Sequence, residues 1–434
     1  MHPASWVVIA AITVFVGAYV LIATEWVHRV SAALGGAALM FVLGAATGKS
    51  AFFSAETGVD WNVVLLLFGM MVVVSVVKRT GLFEYMAIWS AKRARGRPYP
   101  LMVLLCLITA VASAMLDNVT TVLLMAPVTL LVCARIGVRP EMFLIAEALI
   151  SNIGGAATLI GDPPNIIIGS RAGLSFNDFL FNLGPLVVVL LLVFLVVAKF
   201  LFRSAFTIDT AVAQDVMALD ERKAISDPKL LVRVAPVLVL IVAGFVLHSS
   251  IGLEPSIVAL LGAGVMVLVS RTSQDEFLSE VEWPTLVFFI GLFVMVGSLV
   301  NIGVIDWIGE RAVEAVGGRF LLATTVLLFA SAVLSGVIDN IPYVATLTPL
   351  VADLAGSTDG PASTALWWAL ALGAGLGGNA TAVGASANVV VTGIAAREGH
   401  PISFALFTRY GLVITAVTVV LSWPYLWLRY FVFG

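Results

Sequence analysis

Long apolar runs without a charged residue recur along the chain, and they restrict its fold more than any other feature of the sequence. Residues 63–77 and 183–198 are two such runs, and each approaches the roughly 20 residues that an α-helix needs to cross a bilayer. Charged residues make up only 11% of the chain, compared with about 25% in soluble proteins. The sequence therefore predicts an all-α polytopic membrane protein, whose main partner is the lipid bilayer, and argues against a soluble enzyme.

The chain also contains an internal duplication. Shifting the sequence by 222 residues places Trp61 on Trp283 and aligns the Asp-Asn pairs at 117–118 and 339–340. With one further residue of shift, GGAATLIGDPPN (154–165) aligns with GGNATAVGASAN (377–388). A match of this length in two parts of one chain does not arise by chance, so we interpret the two halves as structural repeats.

Both halves divide into six apolar segments in the same order. One segment of each half is interrupted at its middle by the Asp-Asn pair, which indicates a re-entrant hairpin. Five full spans remain in each half, and this odd number inverts the second half in the membrane, the plan of many secondary transporters. The first half is predicted at 1–202, with its hairpin at 99–135 and its broken helix at 141–170. A cytoplasmic linker is predicted at 203–230. The second half is predicted at 231–434, with its hairpin at 319–355 and its broken helix at 363–395.

The basic residues predict the orientation in the membrane. If both termini lie outside, 18 of the 23 Lys and Arg residues fall in cytoplasmic connections, as the positive-inside rule requires. We therefore expect a multi-pass protein of the bacterial inner membrane with both termini outside. The two cysteines and four histidines are scattered, so we expect no metal site and no cofactor, and nothing indicates a nucleic-acid partner.

Four polar motifs interrupt the apolar segments at membrane depth. LDNVTT (116–121) and VIDNIP (337–342) stand at the centres of the two hairpins, and the glycine-rich motifs interrupt the two broken helices. Broken helix ends present amides and carbonyls to ions. Non-helical backbone is tolerated in the bilayer only where it is buried in protein or lines a cavity. We predict that the four motifs form one site, in which Gly154, Gly155, Gly377 and Gly378 allow unwinding and Pro163 and Pro164 prevent the helix from resuming.

Four carboxyl groups also lie within apolar segments. Ionisable groups at membrane depth are costly and mark ion or proton pathways, and desolvation favours their neutral, protonated form. The sequence therefore predicts proton coupling through Asp117, Glu147, Asp162 and Asp339. Ala385 is the repeat counterpart of Asp162, so the halves are expected to contribute unequally. The motifs contain no Lys or Arg, which favours a cation, a neutral solute or a proton-coupled weak acid over a dicarboxylate.

The segments LDNVTTVLLMAPVTLLV, AEALISNIGGAATLIGDPPNIII and GAGLGGNATAVGASANVVVTGIA resemble the ArsB/NhaD permeases of the ion transporter superfamily, and they are most similar to the melanosomal P protein branch. The resemblance implies a scaffold domain, a transport domain, elevator-like alternating access, a homodimer, Na⁺ or H⁺ as the coupling ion and, as in some arsenite pumps, a cytoplasmic ATPase partner. It also implies that substrate or ion is bound by the polar residues of the four motifs: Asp117, Asn118, Thr120, Thr121, Asn152, Gly154, Gly155, Thr158, Asp162, Asn165, Asp339, Asn340, Gly378, Asn379, Thr381, Ser386 and Asn388.

These observations predict a secondary active transporter for a small inorganic ion or its neutral hydroxide, with proton-coupled arsenite or antimonite efflux as the first candidate. A sodium/proton antiporter is the alternative that uses the same acids directly, and chloride or other anion transport, including a channel, also stays open. Sodium-dicarboxylate relatives carry Ser-Asn-Thr at both hairpin tips, whereas this chain carries Asp-Asn, which disfavours a carboxylate. A membrane enzyme is disfavoured because the sequence offers no nucleophile–base pair.

Overall fold

The fold is known from a computed structural model that describes residues 5–24, 26–206, 221–271, 273–358 and 360–433. These residues form helices joined by short loops and include no β-strand. Eight helices within the described ranges are long and apolar enough to cross a membrane. The predicted all-α polytopic membrane protein is therefore confirmed.

The first half begins with two helices that are antiparallel neighbours and continues through a hairpin and a broken helix. Its helices are α1 (Ser5–Thr24), α2 (Arg29–Val42), α3 (Gly48–Phe52), α4 (Trp61–Lys78), α5 (Leu82–Arg93), α6 (Pro98–Met115), α7 (Asn118–Ile136), α8 (Glu141–Gly155), α9 (Pro163–Ala172), α10 (Phe176–Asn182) and α11 (Gly184–Leu201). Hairpin 1 consists of α6 and α7, and broken helix 1 consists of α8 and α9.

The second half repeats this order, except that nothing corresponds to α10 among its described residues. Its helices are α12 (Pro228–Leu247), α13 (Pro255–Ser270), α14 (Gln274–Ser279), α15 (Trp283–Asn301), α16 (Val304–Val316), α17 (Phe320–Ser335), α18 (Asn340–Gly356), α19 (Pro361–Gly377), α20 (Ser386–Arg397) and α21 (Phe404–Trp427). Hairpin 2 consists of α17 and α18, and broken helix 2 consists of α19 and α20.

The two halves interlock. Helix α4 of the first half packs on α13 of the second, and α15 packs in the same way on α2. The hairpins exchange partners too, because α7 packs on α20 and α18 packs on α9. Each hairpin tip is thereby placed against the second segment of the opposite half's broken helix, at the centre of the molecule.

The breaks in the helices have local causes. Asp117 caps α7 by accepting the Thr120 N–H at 2.7 Å, and Asp339 caps α18 by accepting the Ile341 N–H at 3.0 Å. A short acidic side chain at an N-cap satisfies amides that begin a helix without a partner. The Asp-Asn pairs therefore mark helix starts.

One expectation about the breaks is wrong. Pro163 and Pro164 do not prevent the helix from resuming, because α9 begins at Pro163 itself. Proline is favoured in the first turn of a helix, where its missing N–H would be unpaired in any case and its fixed φ already suits the helix. The Pro-Pro pair is thus the start signal of the second segment.

The paired glycines at the breaks were expected to allow unwinding, and they also have a packing role. A Cβ on Gly154 would lie 2.5 Å from the Ala110 carbonyl oxygen, and a Cβ on Gly377 would lie 2.5 Å from the Ala332 carbonyl oxygen. Both glycines are still helical, at the last turns of α8 and α19. They allow each hairpin to cross its own broken helix with backbones in contact.

Part of the predicted cytoplasmic linker, residues 207–220, lies outside the described residues. The described end of the linker is attached to α5 and to the loop before it: Lys92 pairs with Glu221, and the Ser226 N–H donates to the Thr80 carbonyl at 3.1 Å.

Candidate transport site

Asp162 stands where both hairpin tips meet broken helix 1. Asn118 Nδ2, at the tip of hairpin 1, donates to Asp162 Oδ1 at 3.0 Å, and Asn340 Nδ2, at the tip of hairpin 2, donates to Asp162 Oδ2 at 3.3 Å. Asp162 is only 1% exposed. One buried carboxyl group therefore contacts both hairpins, although the chain is duplicated.

An asparagine network joins the two broken helices behind Asp162. Asn152 Oδ1 accepts from Asn118 Nδ2 at 2.9 Å, and Asn152 Nδ2 donates to Asn379 Oδ1 at 2.8 Å and to Asn388 Oδ1 at 3.2 Å. Asn379 Nδ2 continues to the Leu149 carbonyl at 3.0 Å. Asn118 of hairpin 1 and two asparagines of broken helix 2, all three predicted site residues, are thus joined directly to Asn152.

The remaining polar residues of the broken helices close their own loops. Asn165 Nδ2 donates to the Gly155 and Thr158 carbonyls, and Asn388 Nδ2 donates to the carbonyls of Gly378 and Thr381. Two hydroxyls hold the loops against the hairpins in a matching way: Thr158 Oγ1 donates to the Ala114 carbonyl, and Thr381 Oγ1 donates to the Gly336 carbonyl. These contacts fix the backbone around the cluster.

The tip of hairpin 1 carries unused acceptors. The Asp117 carboxyl group already accepts hydrogen bonds from Thr120, whose hydroxyl donates to Asp117 Oδ2 at 2.5 Å. Asn118 Oδ1 and Thr121 Oγ1, in contrast, are buried and have no hydrogen-bond partner among the described residues. Unpaired buried acceptors are rare in proteins, and here they lie on the same turn of α7 as the Asp162 contact.

Asp339 lies beside a cation that comes from outside the four motifs. Arg29 Nη1 lies 3.9 Å from Asp339 Oδ2 and donates to Ser386 Oγ at 2.9 Å, and Ser386 Oγ donates to Asp339 Oδ2 at 2.7 Å. Arg29 also lies over the Phe288 ring, 5.5 Å from its centre. The expectation that the site contains no fixed cation is therefore wrong, since helix packing brings the first residue of α2 to the tip of hairpin 2.

Two cavities meet at Arg29. The larger, of about 620 Å³, is lined by Arg29, Glu282, Thr285, Asp339 and Ser386 together with apolar side chains. The smaller, of about 20 Å³, touches Asp117 and Thr120 as well as Arg29, Glu282 and Ser386. The smaller has room for about one water molecule or ion. Arg29 thus borders both cavities, and each cavity touches one of the two capping aspartates.

Tyr19, like Arg29, lies outside the motifs and contacts hairpin 2. The Tyr19 hydroxyl, on α1, donates to the Pro342 carbonyl and lies 2.7 Å from Thr346 Oγ1. Arg29 and Tyr19 were not among the expected site residues, because their helices lie more than 300 positions before the hairpin. The signal that could have found Tyr19 is a phenol within the apolar stretch 5–24, whereas Arg29 lies in the polar connection after this stretch and gives no such signal.

Among the four expected coupling residues, Glu147 is the one that neither bonds to a hairpin tip nor lines either cavity. It lies on α8, is 1% exposed, and accepts a hydrogen bond from Thr129 Oγ1 at 2.6 Å. The structure therefore brings Asp162 to the hairpin tips and places Asp117 and Asp339 at the cavities, but it keeps Glu147 apart.

Two hairpins whose tips meet two broken helices around a buried polar cluster are the arrangement of a membrane transporter. A family model described as citrate transporter (CitMHS) matches residues 19–373, and the chain belongs to this family. It is a transporter and not an enzyme. Its membership of this family places it in the ion transporter superfamily.

Relatives extend over the whole chain. A transporter of Mycobacterium tuberculosis, Rv2684, is 56% identical over 98% of this chain and 99% of its own length, and the 46 kDa membrane protein of Mycobacterium leprae is 50% identical over 98% and 99%. The human P protein is 33% identical over 98% of this chain and 60% of its own length. The expected relation to the P protein is thus confirmed, whereas assignment to the ArsB/NhaD permeases stays a prediction.

Among solved structures, the YdaH transporter of Alcanivorax borkumensis is similar, with a TM-score of 0.61 and 14% identity over 99% of this chain and 98% of that chain. At this identity the similarity supports the fold alone.

Proposed function

We propose that the chain is a secondary active transporter whose coupling ion, a proton or Na⁺, binds at Asp162. The observation that carries this proposal is the double contact of Asp162 with Asn118 and Asn340. An ionised carboxyl group accepts on both oxygens, whereas protonation converts one oxygen into a donor. The protonated oxygen is a weaker acceptor, so a proton bound at Asp162 weakens one of its two hydrogen bonds to the hairpins.

The surroundings of Asp162 also suit a small cation. Oxygen ligands are preferred by hard cations, and Asn118 Oδ1 and Thr121 Oγ1 are buried acceptors without a partner. No Lys or Arg among the described residues is hydrogen-bonded or ion-paired to Asp162. A bound proton or Na⁺ would therefore supply the positive charge that Asp162 lacks.

The test is coupled flux in proteoliposomes. In Asp162→Asn, we expect proton or Na⁺ movement driven by the transported solute to fall at least tenfold, while the protein inserts and melts as the parent does. Asp353→Asn is the matched control, because this exposed carboxylate lies at the far end of α18. Parent-level coupling in Asp162→Asn would overturn the proposal.

For the solute, the resemblance to the ArsB/NhaD permeases supports proton-coupled efflux of arsenite or antimonite. Arsenite is largely undissociated near neutral pH, so its neutral hydroxide can enter a site that contains acids. A sodium/proton antiporter would use Asp162 directly and needs no other solute. Chloride or another anion is the remaining inorganic alternative.

A carboxylate is the second candidate, and Arg29 is the observation that favours it. The guanidinium borders a cavity of about 620 Å³, which is large enough for a small organic acid, and arginine binds carboxylates through paired hydrogen bonds. The family of this chain is described as citrate transporters. Because Arg29 supplies a cation beside the site, the absence of Lys and Arg from the motifs does not disfavour a carboxylate.

Everted vesicles distinguish these solutes. Vesicles containing the protein are given arsenite, antimonite, citrate, Na⁺ or chloride in turn, and proton movement is followed with a pH-sensitive dye. A response to arsenite or antimonite alone supports the first candidate, and a response to citrate that is lost in Arg29→Met supports the second. Na⁺ alone would indicate antiport, and it would exclude both.

The wider arrangement follows the family resemblance. We propose elevator-like alternating access in a homodimer, with the hairpins and broken helices forming the transport domain. In the predicted orientation Arg29 is cytoplasmic, so the larger cavity would open to the cytoplasm. A cytoplasmic ATPase partner is part of the same proposal for an arsenite pump, and ATP-independent flux in the purified protein would argue against it.

A further inference from the structure

Glu147 is a buried carboxyl group that the Asp162 mechanism leaves without a role. Its Oε1 accepts from Thr129 Oγ1 on α7 at 2.6 Å. Its Oε2 is buried and has no hydrogen-bond partner among the described residues. An ionised carboxylate with an unpaired oxygen is expensive away from water, so the neutral acid suits this place better.

The internal repeat shows that the fold does not need an acid there. The repeat counterparts of Thr129 and Glu147 are Val351 and Leu370, and both are fully buried at 0% exposure. The corresponding positions in the second half are therefore apolar. Since the same packing position is filled by a valine and a leucine, packing alone does not explain Glu147.

The surroundings of Glu147 contain no compensating charge. The titratable groups that interact with it are two thiols, Cys106 on α6 and Cys133 on α7. Both are buried and free. Among the described residues, no Lys, Arg or His forms an ion pair with Glu147. No described side chain neutralises this carboxyl group, and a bound proton would.

The position of Glu147 connects it to the transport site. Helix α8 carries both Glu147 and Asn152, which are five residues apart, or about 7.5 Å along the helix. Asn152 bonds directly to Asn118 of hairpin 1, and Thr129 belongs to the same hairpin. A movement of hairpin 1 against α8 would therefore change both the Asp162 cluster and the Thr129–Glu147 contact.

We propose that Glu147 is a second proton-binding site of the transporter, separate from Asp162 and specific to the first half. A proton from water forms the O–H bond on Oε2 while Thr129 continues to donate to Oε1. When hairpin 1 moves and water reaches the pair, the bond breaks and the proton returns to water. This inference rests on the proposed function, because it adds a second proton to the same cycle.

The direct test uses protons as the only probe. Infrared difference spectra of the purified protein in liposomes are recorded across a pH titration, for the parent and for Glu147→Gln. We expect a carbonyl-stretch band of a protonated acid that is absent from Glu147→Gln and that disappears reversibly as pH rises. A parent without this band, or a Glu147 band that stays constant over the whole titration, would overturn the inference.

A transport test uses the repeat as its own control. The double variant Thr129→Val, Glu147→Leu copies the apolar pair of the second half, so it should fold and melt at least as well as the parent. We expect it to move one proton fewer per solute, measured with whichever of arsenite, citrate or Na⁺ moves protons in the parent. Thr129→Val alone should keep the parent count.

The failures of the two proposals are distinguishable. If the parent moves no proton or Na⁺ with any solute, the proposed coupling at Asp162 fails, while the infrared titration still tests Glu147. If the parent couples and the double variant moves the same number of protons, only the assignment of Glu147 is overturned.

Discussion

The close crossing of hairpin 2 over broken helix 2 gives a quantitative prediction. In Gly377→Ala, the new Cβ would lie 2.5 Å from the Ala332 carbonyl oxygen and 2.6 Å from the Ala332 Cα. An ordinary contact is 3.4–4 Å, so α17 and α19 must separate by roughly 1 Å, a displacement large enough to force a rearrangement of a tightly packed core. The neighbouring atoms belong to the backbone and cannot rotate away.

The expected loss of stability follows from two opposing terms. Overpacking a well-packed core costs about 1–3 kcal/mol, and a backbone clash belongs at the upper end of this range. Alanine is better than glycine within a helix by up to about 1 kcal/mol. We therefore expect Gly377→Ala to lower the free energy of unfolding by about 1–2 kcal/mol. Gly264→Ala on α13, where nothing lies within 4 Å of the added Cβ, should be neutral or slightly stabilising.

The assay is reversible unfolding of both variants in mixed detergent micelles, followed by helix content. Coupled flux should fall in Gly377→Ala as well, because separating α17 from α19 displaces Asn340, whose hydrogen bond to Asp162 is already 3.3 Å long. If Gly377→Ala proves as stable as Gly264→Ala, the two helices do not cross with their backbones in contact, and the reasoning is refuted.

Three further predictions concern single side chains around the site. Arg29→Met should raise the KM for a carboxylate at least tenfold without changing the melting temperature, and Arg29→Lys should restore part of the affinity. An unchanged KM in Arg29→Met would show that Arg29 does not belong to the substrate site. Tyr19→Phe loses the hydrogen bond to the Pro342 carbonyl and should cost about 1 kcal/mol in thermal unfolding. Tyr85→Phe serves as the matched control, and equal melting temperatures of the two variants would show that this hydrogen bond contributes nothing to stability. Asn152→Ala leaves the buried Oδ1 atoms of Asn379 and Asn388 unpaired and should cost about 2–4 kcal/mol, seen as a lower yield of folded protein; a parent-like melting curve would contradict the network.

Much of the architecture could be predicted from local sequence. The apolar run at 63–77 lies within helix α4, and the interruption of hairpin 1 falls at Asp117, which is the N-cap of α7. Such boundaries are local, because a short acidic side chain, a proline in the first turn or a loss of apolar character acts within a few residues. The proline pair at 163–164 was misinterpreted because proline both ends one helix and begins the next.

The sequence by itself determined that this protein lies in a membrane, that its chain is duplicated and that polar residues gather at four breaks. Hydrophobicity and internal repetition are properties of the chain and need no partner. Only the tertiary structure decided which polar residues meet: that Asn118 and Asn340 share Asp162, that Arg29 reaches Asp339 across 310 positions, and that Glu147 stays apart with Thr129. The physical reason is that these contacts depend on how the two halves interlock, and interlocking is set by the summed packing of many apolar side chains rather than by any motif.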